Sequence, residues 1–245
     1  MLGIGAGITH GSYSDVTNLK EATGGTAVNL LLWLKNNTAI TAAKWSDASG
    51  NNNHASQTTE ANQAAVTTDG GLDFEKDNSD HYDLASTITI AENQGFCLAI
   101  VVNQETVSDN MILSKDSNDH IKIADQNTFR IISNDDTQTT TNFKFVGGEF
   151  AAGSKMLILV NRSAGAENVF TFFKNGTQLT PNTDTSSGEA KGENPYGFDI
   201  NVLGARAGSS QFFDGKILEL AFWNRSLTTT EIADVNSYLQ EIHEL

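Results

Sequence analysis

Cysteine is almost missing from this sequence: of 245 residues only Cys97 carries a thiol. One thiol closes no internal disulfide, so stability has to come from packing. Its place in the apolar run "GFCLAIVV" marks it as a core residue rather than a reactive one. Proline is nearly as scarce, and both prolines, Pro181 and Pro195, fall in one polar stretch. Basic residues are few, 15 Lys and Arg against 30 Asp and Glu, which leaves a net charge of -15. A field of that sign repels phosphate backbones and anionic lipid surfaces and argues against nucleic acid or a membrane as partner. No apolar run approaches the roughly 20 residues that span a bilayer. The start lacks a basic region ahead of Lys20, which disfavours a secretory signal, and Leu2 after Met1 disfavours myristoylation.

Catalytic signatures are missing as well. There is no Gly-x-Ser-x-Gly elbow and no phosphate loop ending in Gly-Lys-Ser/Thr. His10, His54, His81, His120 and His243 are scattered without the close pairing of a zinc site and read as surface or turn residues. The acidic cluster Glu75, Asp77, Asp80 and Asp83 around His81 could serve as acid and base only if two carboxylates converged. "Phe74-Glu75-Lys76-Asp77" instead reads as a solvated turn. The sequence points to a protein that is not an enzyme.

What the sequence does contain is strands. From about Val28 onward short apolar or alternating runs are separated by clusters of Asn, Asp, Ser, Thr and Gly. They include "VNLLLWL", "GLDF", "GFCLAIVVN", "MILSK", "HIKIA", "TFRIIS", "KMLILVNR", "NVFTFFKNG" and "KILELAFWN". Asn175-Gly176 between "FTFFK" and "TQL" predicts a two-residue type I′ hairpin. With no helical pattern recurring between the runs, the sequence predicts an all-β antiparallel sandwich of jelly-roll type. One short C-terminal helix is added, where Thr228 and Glu231 have capping-box spacing and Ile232, Val235, Leu239 and Ile242 form an apolar stripe. "TPNTDTSSGEAKGENPYG" reads as a long loop.

Three features invite functional readings. Asp47, Ser49, Asn51 and Asn53 have the alternate spacing of calcium ligands, but Asn52 and Thr58 occupy the places where an EF-hand needs Gly and Glu. A tight Asx turn with Gly50 at positive φ, or a structural calcium site of another kind, both stay open; no other cofactor is expected. Of the tryptophans, Trp33 and Trp223 lie inside apolar strands, whereas Trp45 precedes the turn and is the one placed for a ligand rim. At the start, Leu2, Ile4, Ala6 and Ile8 alternate with glycines, an apolar row with bare backbone between, suited to docking on a partner.

"KWSDASGNNNHAS", "GLDFEKDNSDHYDL" and "VLGARAGSSQFFDGKILELAFWNRSLTTTEI" together resemble concanavalin A-like, laminin-G-like jelly rolls over residues 28–245. The resemblance implies two curved antiparallel sheets packed face to face, preceded by a glycine-rich arm over residues 1–27. The opening "MLGIGAGITHGSYS" is similar to the starts of structural proteins of tailed bacteriophages, especially marine ones. That likeness implies a non-enzymatic virion structural or decoration protein whose arm docks on capsid or tail proteins or on other copies of itself. The alternative is a carbohydrate-binding, lectin-like adsorption module with a glycan as partner. Glycosidases of this fold carry a Glu-x-Asp-x-x-Glu strand, and none occurs here.

Overall fold

The computed structural model describes residues 18–24, 29–133, 139–166, 169–182 and 196–245. The apolar row Leu2, Ile4, Ala6 and Ile8 lies outside the described residues, as do most of the polar stretch after Pro181 and His10.

In chain order the first elements are α1 (Leu19–Ala22), β1 (Leu30–Leu34), β2 (Ile40–Thr41), β3 (Lys44–Trp45), β4 (Ala55–Ser56), β5 (Ala65–Val66) and β6 (Leu72–Phe74). Then come β7 (Tyr82–Ile90), β8 (Phe96–Gln104), β9 (Asn110–Ser114), β10 (His120–Asp125), β11 (Thr128–Ser133) and β12 (Thr139–Lys144). The last are β13 (Met156–Arg162), β14 (Phe170–Lys174), β15 (Thr177–Leu179), β16 (Phe198–Leu203), β17 (Gly215–Trp223) and α2 (Thr229–His243).

The strands form two antiparallel sheets. The first runs β15-β14-β13-β8-β17-β6-β5, with β1 also paired to β17, and the second runs β12-β11-β10-β9-β16-β7-β4-β3-β2. Non-consecutive neighbours such as β8 and β17 or β16 and β9 are the crossovers of a jelly roll. Strand alternation explains the main core: Ile121, Ile123, Phe129, Ile131 and Phe143 of one sheet meet Phe96, Leu98, Ile100, Ile158, Phe172 and Leu220 of the other.

The first sheet is covered on its outer face too. Trp33, Cys97, Ala99, Leu157, Ala221 and Trp223 pack against Leu19 of α1 and Ile232, Val235, Tyr238 and Leu239 of α2. That is why β8 and β13 read as unbroken apolar runs rather than alternating ones. Burial pushes the Cys97 thiol well up, consistent with a packing role. The described end of the segment before Val28, Asn18–Gly24, is thus part of this second layer: Asn18 Oδ1 caps α1, and Leu19 and Ala22 are buried.

Local signals from the sequence recur here. Asn175 and Gly176 both take positive φ, 46° and 75°, in the β14–β15 hairpin. Thr228 and Glu231 form a reciprocal capping box. The apolar stripe of α2 differs at its end. Ile242 is exposed and His243 is buried in its stead, because its Nε2 lies 2.9 Å from Oε2 of Glu219 on β17, whose Oε1 accepts from the Trp33 indole at 2.7 Å.

Candidate ligand-binding face

With α1 and α2 on the outside of the first sheet, the outer face of the second is the sheet surface free of helices among the described residues. Alternation dictates what it shows. Before the core residue Ile121 stands His120, and between it and Ile123 stands Lys122; between Phe129 and Ile131 stands Arg130; beside Phe143 stands Asn142. The cross-strand register sets Lys122 opposite Arg130 and Met111, Arg130 opposite Asn142, and His120 opposite Ser114.

Over this row lies the β16–β17 connection, Gly204–Asp214. Its neck is closed by Gly204 N donating to the Ile112 carbonyl (3.0 Å) and Phe213 N donating to the Gly204 carbonyl (2.7 Å). Gly204 has φ +83°, and a Cβ there would sit 2.5 Å from the Phe74 ring, so no other residue fits the neck undisturbed. Phe213 plugs the core edge-on to Phe74. The loop is pinned to the sheet by Ser114, whose Oγ donates to the Ala205 carbonyl (2.6 Å) and accepts from Ala207 N (3.1 Å).

Beneath the loop Lys122 Nζ reaches Asp109 Oδ1 at 2.6 Å and Gln211 Oε1 at 3.3 Å. Burial and the neighbouring Arg130 and Arg206 lower its pKa, and Asp109 opposes them. Burial, with Lys122 beside it, lowers His120 to about 4, so the imidazole is neutral near pH 7. Arg130 Nε donates to Asn142 Oδ1 at 2.5 Å, and Arg206 Nε to Ser210 Oγ at 3.2 Å. Next to this row a groove of about 320 Å³ is lined by Thr89, Glu92, Asp119, Gly197 and Asp199. There Asp199 holds Lys115 Nζ at 2.8 Å and Thr89 Oγ1 at 2.7 Å. The face is a fixed array of donors and acceptors at strand spacing, suited to reading hydroxyl and acidic groups.

The residues singled out from sequence lie elsewhere. Asp47, Ser49, Asn51 and Asn53 do come together, around the Asp47 carboxylate. Its Oδ1 accepts from Trp33 N (2.9 Å) and Ser49 N (2.8 Å), and its Oδ2 from Ser49 Oγ (2.7 Å) and Asn53 N (3.0 Å). Asn51 and Asn53 turn their amide nitrogens to the Leu30 and Leu31 carbonyls. The geometry is an Asx turn stapled to β1, with Gly50 at φ +102°.

Trp45, expected at a rim, is fully buried instead, its indole N–H donating to the Lys35 carbonyl at 3.0 Å. In the acidic cluster Asp80 is buried and accepts from Glu75 N at 2.8 Å, whereas Glu75, Asp77 and Asp83 are exposed. Partial burial and then Glu105, Asp73, Asp214 and Asp80 raise the Glu75 carboxyl. His120 and His243, read as surface residues, are buried. Sequence reasoning passed over His120, Lys122, Arg130 and Arg206. The available signal was polar residues recurring at every second place in "HIKIA" and "TFRIIS", where one face had to be left out of the core.

A family model described as the concanavalin A-like lectin/glucanases superfamily matches residues 76–233. Among solved structures, the binding domain of Paraclostridial Mosquitocidal Protein 1 superposes with a TM-score of 0.56 at 13% identity, over 89% of this chain and 52% of that one. This chain therefore spans about half the length of that neighbour. Domain 4 of AbnA, an extracellular arabinanase of family GH43 from Geobacillus stearothermophilus, solved in complex with arabinotriose, superposes at 0.52 and 14% identity, over 85% of this chain and 98% of that domain. At such identities the likeness is one of fold. No curated protein sequence matches the chain.

Proposed function

From the premise that this chain belongs to the concanavalin A-like lectin/glucanase superfamily, we propose that it is a non-catalytic carbohydrate-binding module. The observation that carries this reading is the helix-free face of the nine-stranded sheet, where the half-buried Arg130 and Asn142 stand at outward positions beside the buried His120 and Lys122, next to a loop held by Ser114. Saccharide recognition needs hydrogen-bonding groups fixed before the ligand arrives, since ordering them on binding costs affinity. Here backbone pairing and the loop supply that order. The arabinotriose complex of the AbnA domain is a precedent in the same fold for a module that holds an oligosaccharide.

A module of this kind suits the adsorption role, in which a particle or a larger assembly attaches to a glycan-bearing surface. The virion placement rests on the opening "MLGIGAGITHGSYS", taken with the lack of secretory and catalytic signatures in the sequence. Labelled protein on a glycan array should retain a defined set of saccharides and release no reducing sugar from them. An array without hits contradicts the proposal, and so does sugar release that a Glu75→Gln change abolishes.

A further inference from the structure

We infer that this face takes the acidic group of an anionic saccharide, a carboxylate or a sulfate, between the guanidinium groups of Arg130 and Arg206 and above Lys122. The inference rests on the reading of the face as a glycan site and specifies the class of glycan. In a chain with twice as many acidic as basic residues, three cations gathered on one face with one paired carboxylate among the described residues need an explanation. Asp109 bonds Lys122. Arg130 and Arg206, by contrast, spend their hydrogen bonds on neutral acceptors, the Asn142 amide oxygen and the Ser210 hydroxyl. Neither guanidinium forms an ion pair among the described residues.

Their convergence follows from the fold. Arg130 faces Lys122 across the β10–β11 ladder. Arg206 is carried over the same strands by the loop that Ser114 pins and that Gln211 ties to Lys122. Like charges held together raise one another's energy, and a bound anion removes that cost.

His120 adds a second observation. It is 2% exposed, and neither ring nitrogen meets a partner in hydrogen-bond geometry, although the Asp116 backbone lies near. A buried imidazole without a partner beside the cations is costly, and a ligand group within its reach relieves that cost. A guanidinium offers two parallel N–H groups that match two oxygens of a carboxylate or sulfate, and neutral hydroxyls of the same sugar can use Asn142 and the groove beside Asp199. Asp109, across Lys122, limits the site to one acidic group at a time.

The test is calorimetric titration of the full chain with two matched pairs: oligogalacturonate against its methyl ester, and a sulfated galactan against its desulfated form. The acidic member of at least one pair should bind about tenfold tighter or more. Arg206→Gln and Arg130→Gln should each narrow the preference for the acidic member roughly tenfold, with circular dichroism and the unfolding temperature unchanged. Equal affinity within both pairs, or a preference that survives the double change, overturns the inference while a glycan-binding function stands. Binding of no saccharide, acidic or neutral, overturns both.

Discussion

Arg162 is the residue on which the open end of the sandwich depends. It is fully buried, lies over the Phe96 ring at 4.8 Å, and donates to the Gln94 carbonyl (3.1 and 2.6 Å) and the Tyr196 carbonyl (2.9 Å). Burial lowers its pKa to about 10, so it stays charged at neutral pH. A lysine carries the charge without the planar fork that bonds the Gln94 carbonyl through two nitrogens while a third reaches the Tyr196 carbonyl. Arg162→Lys should therefore lower stability by about 2–3 kcal/mol, read by urea unfolding; an unchanged midpoint contradicts this role. At Glu231 the Arg225 guanidinium, together with the Thr228 backbone and hydroxyl, holds the carboxyl down at about 2. A folded-state pKa below the unfolded one adds stability that is present above about 4.5 and lost as pH falls toward 2. The unfolding temperature should drop over that window, and Glu231→Gln should flatten the drop.

Helix α2 shows how an element is fixed by more than its stripe. Val235 and Leu239 bury against the first sheet, and the last turn is anchored by His243 on Glu219, itself bonded to Trp33. Removing the histidine leaves a buried carboxyl with one partner instead of two, the costly case for a buried polar group. His243→Ala should cost about 2–4 kcal/mol by urea unfolding, and adding Glu219→Gln should return part of it. Equal stability of the single and double variants would contradict the coupling. This anchor was not legible in the sequence, since the helical period favoured Ile242 and only tertiary register brings His243 to Glu219. The strands, the Asn175-Gly176 turn and the capping box were legible because each is decided within a few residues. Trp45 was misplaced for the opposite reason: its burial is decided by the Lys35 carbonyl ten residues away.

At the scale of the molecule, helices cover the outer face of one sheet and, among the described residues, a loop but no helix lies on that of the other, an asymmetry that marks the proposed binding face. The alternating row at the start stays an expectation from sequence. The structure adds that any such arm ends before Asn18, because Leu19 and Ala22 belong to the packed layer. Leu19→Ala should cost about 2–4 kcal/mol, and deleting residues 2–15 should leave unfolding nearly unchanged; comparable losses in both contradict that boundary. The two-sheet architecture followed from patterning alone, whereas the site did not, because Lys122, Arg130 and Arg206 are brought together by sheet register and a loop closed at Gly204.

The central claim is that the bare face of the nine-stranded sheet binds saccharide. It is tested most directly by amide chemical shifts of the full chain titrated with a saccharide retained on the array. Shifts are expected at Thr89–Glu92, Asn110–Lys122, Arg130, Asn142, Gly197–Asp199 and Gly204–Gln211. Shifts centred on α2, on Glu75–Asp83 or on the Asp47 turn, with that face silent, would contradict it.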